Sequence, residues 1–487
     1  MKNDIEEALY ISCNSEQQLK PVQNERKNDT FFLYFSAFTA NLILFSGATD
    51  MVWTSPVIAK LESNDTSINP LGRQITYYEI SILAGLPAFT SFLGGMVFMR
   101  LPDAIGRRKS LMYMAVGMLL SDIVVAVSRH IYLYYVARSM FSLFLGGVFV
   151  VLPVYLSEIC EDHNRVKFGC LMGMAIPAGN LFSYIVGPLT SVQGFTFLCV
   201  APLIPSLLFF FLVVPETPIY LLLRNDSKGA LKVLEQLRGD RGSEEIAADY
   251  EELERVIRAR TYTQKSGFSC LFETYALKRA LLIASAVNLA QHCSGVMAIM
   301  SFLEPIFDEA VTNNLSGREV SILVGCVKIS VFTVASFSVE RFGRRPLLLF
   351  SCACSGIPLF ILGFCFYWNS YNPTLMADFQ WLPIACILTF VIAYAVGLGP
   401  IPVALLSDLF PSDVISVAMS FVSNLVGIAI FVVVSLFPIA SKYLGVHFCM
   451  WVFSINCFLF FCFIYFMLPE TKGRSILEVQ NMLGQKK

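Results

Sequence analysis

The sequence predicts an all-α membrane protein: about twelve transmembrane helices in two six-helix halves. Three observations predict the helical membrane bundle. The chain of 487 residues is 56% hydrophobic and only 15% charged, too little polar surface for a soluble protein of this length. Apolar runs of membrane-spanning length recur along it. The interior holds one long polar stretch, Glu216 to Arg279, which divides those runs into two equal sets.

Taken in order, residues 1–30 read as a polar tail without the apolar core and small-residue cleavage site of a signal peptide. Residues 31–214 hold the first six spans, starting near Phe31, Tyr78, Leu111, Ile131, Phe168 and Gly194. Residues 215–279 form a helical loop. In it "SKGALKVLEQLRG" has Ser227 as expected N-cap and Gly239 as stop, followed by "SEEIAADYEELERVIRARTY" with acids first and bases last. Residues 280–467 hold six further spans, starting near Ala280, Val320, Pro346, Phe379, Val414 and Leu444, and residues 468–487 form a second tail.

Orientation follows from charge. Most Lys and Arg fall on the tails and loops that share a side with the termini, so both termini are expected to be cytoplasmic. The sequons at Asn64 ("NDT") and Asn314 ("NLS") then lie outside as glycan acceptors, whereas those at Asn28 and Asn225 lie inside. The net charge of −1 points to no nucleic-acid partner. Most of the 14 cysteines fall inside apolar runs and read as small core residues.

A repeat links the halves. "RLPDAIGRRKS" after the second span matches "VERFGRRPLL" after the eighth: an acid, two spacers, a glycine and an arginine pair. Each half also ends alike, with "PETP" from Pro215 and "PETK" from Pro469. Basic inner loops occur in any membrane protein, but recurrence at equivalent places in both halves favours a functional reading.

With "ARSMFSLFLGG", "PVYLSE", "QHCSG", "GLGPIP" and "DLFP" in the same order, the chain resembles the sugar porters of the major facilitator superfamily. It is closest in style to animal facilitative glucose and trehalose carriers, and the similarity spans Phe31 to Ser475. The resemblance implies a plasma-membrane carrier that works by alternating access, with inner gates of arginine forks and carboxylates. Asp103, Arg107, Arg108, Glu158, Arg165 and Glu216 would form the first gate. Glu340, Arg344, Arg345, Asp408 and Glu470, joined by Arg341, would form the second. Ala104 and Ile415 stand where the family has arginines, and Asp408 where it has glutamate. A weaker second gate is therefore expected. "GLGPIP" breaks helical hydrogen bonding, so the tenth helix is expected to flex there, with simple packing of Gly397 and Gly399 as the bland account.

The implied solute site is rewritten. Gln291, Ser294 and Gly295 keep the seventh-helix motif, but the family's second glutamine is His292 and its asparagine Met297, while Ser301 and Phe302 replace its paired aromatics. Gly173, Val403 and Gly427 take other cavity positions, and the eighth-helix asparagine becomes Lys328. A lysine at the centre of a membrane helix costs about 2.5–3.5 kcal/mol, which a ligand position would explain, with snorkelling to an interface or a structural pair as the bland account. Gln291, His292, Ser294 and Lys328 are the expected solute contacts. Three readings stand: a sugar or polyol facilitator, a carrier of another small solute such as an anion, or a sensor that no longer transports.

No enzyme is expected. His163, His292 and His447 lack a paired carboxylate or nucleophile at catalytic or metal spacing, and His130 sits at an outer loop. No metal or cofactor is implied, and no GxxxxGK[ST] loop suggests a nucleotide. Proton-coupled relatives pair a first-helix acid with a fourth-helix arginine. Here Asp50 and Arg138 stand near those places, but the acid comes one residue late, a rotation of about 100°. Passive facilitation is the default expectation, with a structural ion pair as the bland account of Asp50.

Overall fold

The computed structural model describes residues 29–484, apart from 240, 261–267, 310–314, 372–378, 412–413, 473 and 475. Every regular element among the described residues is helical. Eleven helices are long and apolar enough to cross a membrane, from Phe31–Leu61 to Val446–Met467. Gly317–Phe342 takes the eighth position. Its 26 residues reach about 39 Å, enough to span, although Arg318, Glu319, Lys328, Glu340 and Arg341 make it less apolar than the rest. Twelve spans return the chain to the face on which it began, called here the termini face.

Large apolar side chains such as Leu120, Ile204, Phe211, Leu436 and Phe466 point outward, as lipid-facing helices require. Inside, small residues let helices approach. A Cβ on Gly94 would meet the Leu143 carbonyl at 1.8 Å, and one on Gly146 would meet that of Ser91 at 1.8 Å, so the second and fourth spans touch backbone to backbone. Caps start the helices. Thr76 with Glu79, and Ser316 with Glu319, form capping boxes at the starts of the second and eighth spans.

Two spans are interrupted, the tenth where the sequence signalled it and the seventh where it did not. The seventh runs Tyr275–Cys293, breaks at Gly295 with φ +81°, and resumes at Val296–Ser301. The tenth runs Trp381–Val396 and Ile401–Leu409, parted by "GLGP". There Ser351 accepts from the Leu398 N–H at 3.0 Å and donates to the Ala393 carbonyl at 2.7 Å, so one hydroxyl serves the broken backbone. Gly397 also packs closely, since a Cβ there would lie 2.5 Å from that of Ser351.

The loop between the halves carries the helices Ser227–Arg238 and Ser243–Arg260. Its first cap differs from expectation: Asp226, not Ser227, is the N-cap, its carboxylate accepting from Gly229 N at 2.9 Å. Gly239 ends that helix with φ +67°, as expected. Arg238 ties the loop to the first half through Glu161 at 2.8 Å and the Ile159 carbonyl at 3.1 Å. Thr30 donates to the Leu237 carbonyl at 2.7 Å. His163 meets two acids, its Nδ1 3.0 Å from Glu161 and its Nε2 3.4 Å from Asp29. The second acid comes from a residue distant in sequence, which spacing along the chain could not reveal.

Candidate functional site

At the termini face each half builds the same cluster. In the first, Arg107 Nη2 lies 3.0 Å from Glu158 Oε1 and 3.1 Å from Asp103, and Thr217 donates to Glu158 Oε2 at 2.5 Å. Glu216 accepts from the backbone N–H groups of Arg107, Arg108 and Thr217 at 2.9, 3.0 and 3.0 Å. It thereby supplies the anion that the N-terminus of the third span favours. Gly106 makes the turn possible: its φ is +101°, and a Cβ there would lie 2.2 Å from the Glu216 carboxylate. Arg108 donates to the carbonyls of Phe210 and Phe211 at 2.8 and 2.9 Å.

The second half repeats most of these bonds. Arg344 pairs with Asp408, and Thr471 donates to Asp408 at 3.0 Å. Glu470 accepts from the N–H groups of Arg344, Arg345 and Thr471 at 3.1, 3.2 and 3.0 Å. Arg345 donates to the Tyr465 carbonyl at 2.7 Å. The burial differs. The side chains of Arg107 and Glu158 are 7% and 5% exposed, those of Arg344 and Asp408 25% and 20%. The shorter acid sits closer to water, so the second pair is more screened. Arg165 is exposed in the first turn of Asp162–Leu189, within electrostatic reach of Cys160, and the side chains of Glu340 and Arg341 lie outside the described residues.

The opposite face is sealed by hydrogen bonds between the halves. Thr54 of the first span donates to the Ser301 carbonyl at 2.8 Å, and Ser301 donates back to the Met51 carbonyl at 3.4 Å. Tyr184 of the fifth span donates to the Met300 carbonyl at 2.9 Å, and Ser55 accepts from Glu304 N at 3.1 Å. The Arg107 and Arg344 ion pairs, by contrast, each stay within one half.

Between these faces lie the expected solute contacts. Gln291 donates to Tyr394 Oη at 3.2 Å and to the Gly399 carbonyl at 3.0 Å, which links the breaks of the seventh and tenth spans. Ser294 is fully buried and donates to the Gln291 carbonyl at 2.7 Å. His292 is 9% exposed, and its Nδ1 has no hydrogen-bond partner among the described residues. Lys328 reaches across the halves to Asn180 of the fifth span. In the amide orientation that satisfies both its atoms, Asn180 accepts from Lys328 Nζ at 2.9 Å and donates to the carbonyls of Ala48 at 2.9 Å and Ile176 at 3.3 Å. Gly173 lies against the Phe332 ring, 2.7 Å from where a Cβ would sit.

Asp50 and Arg138 do meet. Arg138 Nη1 lies 2.9 Å from Asp50 Oδ1, and the guanidinium also stands over the Trp53 ring at 4.4 Å. Three participants were missed in the sequence. Thr217 and Thr471 were in plain view as the shared third letter of "PET", and Asn180 in "AGNLF" carries no motif. Asn64 is exposed, whereas Asn314 lies outside the described residues.

Two halves related by a repeat, sealed against each other at one face and carrying matched clusters at the other, define a membrane solute carrier. Sequence comparison narrows the class: residues 33–483 match the family described as "Sugar (and other) transporter", and the chain belongs to that family. It is 26% identical over 473 residues to a facilitated trehalose transporter Tret1-2 homolog of Drosophila sechellia, covering 96% of this chain and 94% of that one. It is 28% identical over 415 residues to the facilitated trehalose transporter Tret1 of Bombyx mori, covering 84% and 80%. Among solved structures, the inward-open xylose transporter XylE of E. coli aligns with a TM-score of 0.74 at 20% identity, over 92% of this chain and 99% of that one. The last comparison supports the fold.

Proposed function

We propose that the protein is a facilitative carrier of a sugar, of hexose, trehalose or polyol class, that moves its solute by alternating access without enzymatic chemistry. One observation carries this reading. The far face is closed by bonds between the halves, while the Arg107 and Arg344 clusters each close on themselves. A carrier open toward the termini face would have that arrangement. The facilitated trehalose transporters among its relatives support the solute class.

In this reading the termini face is cytoplasmic, the membrane is the plasma membrane, and Asn64 and Asn314 are the glycan acceptors. Gln291, His292, Ser294 and Lys328 contact the solute or shape the wall behind it. Asp103, Arg107, Arg108, Glu158, Arg165, Glu216, Glu340, Arg344, Arg345, Asp408 and Glu470 hold the inner gate.

A second reading has its own support. The Lys328 ammonium hydrogen-bonds only a neutral amide among the described residues, so it favours a solute with an anionic or strongly accepting group. The experiment is counterflow in proteoliposomes. Vesicles preloaded with unlabelled trehalose, glucose or a small carboxylate are diluted into the labelled compound. The sugar reading expects transient labelled uptake with a sugar and none with the carboxylate. The opposite pattern supports the second reading, and no exchange with any solute overturns both.

A further inference from the structure

The first half contains a buried charge count that does not balance. Asp50 and Arg138 neutralise each other at 2.9 Å with side chains only 2% and 4% exposed. Asp122, on the third span, is within electrostatic reach of both. It is 1% exposed, and neither of its carboxyl oxygens has a hydrogen-bond partner among the described residues. Two acids therefore share one cation.

Among the described residues the surroundings offer no second cation. Besides Asp50 from the first span and Arg138 from the fourth, the titratable groups there are Cys199 of the sixth span, which interacts with all three, and the buried phenol of Tyr134. Leu203–Leu212, also packed on the third span, has no titratable side chain, and Asp103 lies at that span's opposite end. An ionised carboxylate without a donor, sealed from water inside a membrane bundle, is strongly disfavoured. A proton removes the charge without needing the several oxygen ligands that a metal cation would require.

We propose that Asp122, together with Asp50 and Arg138, forms a proton-binding centre that must take up one proton before the far face can seal. The step is simple in its balance: the Asp122 carboxylate gains H⁺ from a hydronium ion of the adjoining water, leaving water, and gives it back when that face opens.

The position says which side exchanges it. Asp50 lies past the middle of the first span Phe31–Leu61, Asp122 stands near the end of Arg107–Val127, and Arg138 is about two turns into Ile131–Ile159. All three thus lie toward the far face, the outer side in the orientation proposed above, and they stay buried while that face is sealed. A proton bound there returns to the side it came from. It sets how readily the carrier closes outside and does not drive uptake. Only the naming of the outer side rests on the proposed orientation; the centre itself depends on no solute.

The test is infrared spectroscopy of the purified protein in liposomes at neutral pH, wild type against Asp122→Asn. The expected result is a protonated-carboxyl C=O band in the wild type that disappears in Asp122→Asn. That variant should fold with unchanged thermal stability, because an amide replaces a neutral acid of the same shape. Initial glucose or trehalose uptake should slow as external pH rises from about 5 to about 8 and lose that dependence in Asp122→Asn. No band in the wild type, or a band that survives in Asp122→Asn, overturns the proposal. Stabilisation by sodium in place of the band would mean that a metal cation occupies the centre. Accumulation that a protonophore collapses would overturn the same-side exchange. An absence of sugar flux would count against the proposed solute while leaving the infrared result to decide the centre.

Discussion

Lys328 and Asn180 face each other across the two halves, the ammonium nitrogen 2.9 Å from the amide oxygen. The contact joins the eighth span to the fifth, and through the second amide bond to Ala48 it reaches the first. A bound solute that engages Lys328 must compete with Asn180, so this pair is where solute chemistry would meet the closing of the halves.

Lys328→Asn restores the amide expected from the family pattern. At matched surface expression it should raise uptake of neutral sugars relative to carboxylates. An unchanged solute profile would remove Lys328 from the site.

Glu158→Ala and Asp408→Ala should differ in cost. Removing the buried acid leaves Arg107 with only the exposed Asp103 as counter-charge, an effect of about 3 kcal/mol, the lower end of that for a broken buried pair. Removing the more exposed acid should cost about 1 kcal/mol or less. Thermal unfolding in detergent compares them, and equal losses would contradict the burial argument. Neutralising a gate acid should also reduce transport, so flux is measured per folded molecule.

Much of this was legible in the sequence because it rests on spacing. Apolar runs of membrane length placed the spans to within a few residues, and the arginine pairs named both clusters. What stayed hidden rests on contact. The far-face seal uses the backbone carbonyls of Met51, Met300 and Ser301, which every residue possesses. Asp226 and Ser227 are both good caps, and only the turn geometry chooses between them. Asp122 could be read in "LLSDIVV", but nothing along the chain tells that it converges with Asp50 and Arg138.

Gly295→Ala should fold poorly. The position holds φ +81°, and a Cβ would lie 2.3 Å from the Phe453 ring. The left-handed backbone alone costs about 1–2 kcal/mol for alanine. Expression and thermal stability should fall together, and normal values for both would mean that the seventh-span break is not required.

The loop at the termini face should loosen in acid. Burial would raise the Glu161 carboxyl, but the Arg241 hydrogen bond and the charges of Arg238 and Arg241 hold it below the usual range. A depressed carboxylate contributes stability that is present above its unfolded value of about 4.3 and is lost as pH falls through the folded value. Hydrogen exchange in Ser227–Arg238 should therefore rise as pH drops below about 4, after correction for the intrinsic pH dependence of exchange. In Glu161→Gln that acid-side rise should be absent.

The most direct test of alternating access is a covalent link across the far-face seal. Thr54→Cys combined with Ser301→Cys places two thiols where a hydroxyl now meets a carbonyl at 2.8 Å. The wild type with its native cysteines serves as the oxidation control. The expected result is that oxidation stops counterflow in the double variant, spares the wild type, and is reversed by reduction. Undiminished counterflow through a fully cross-linked protein would contradict the account, because a carrier locked shut at one face cannot exchange solute across the membrane.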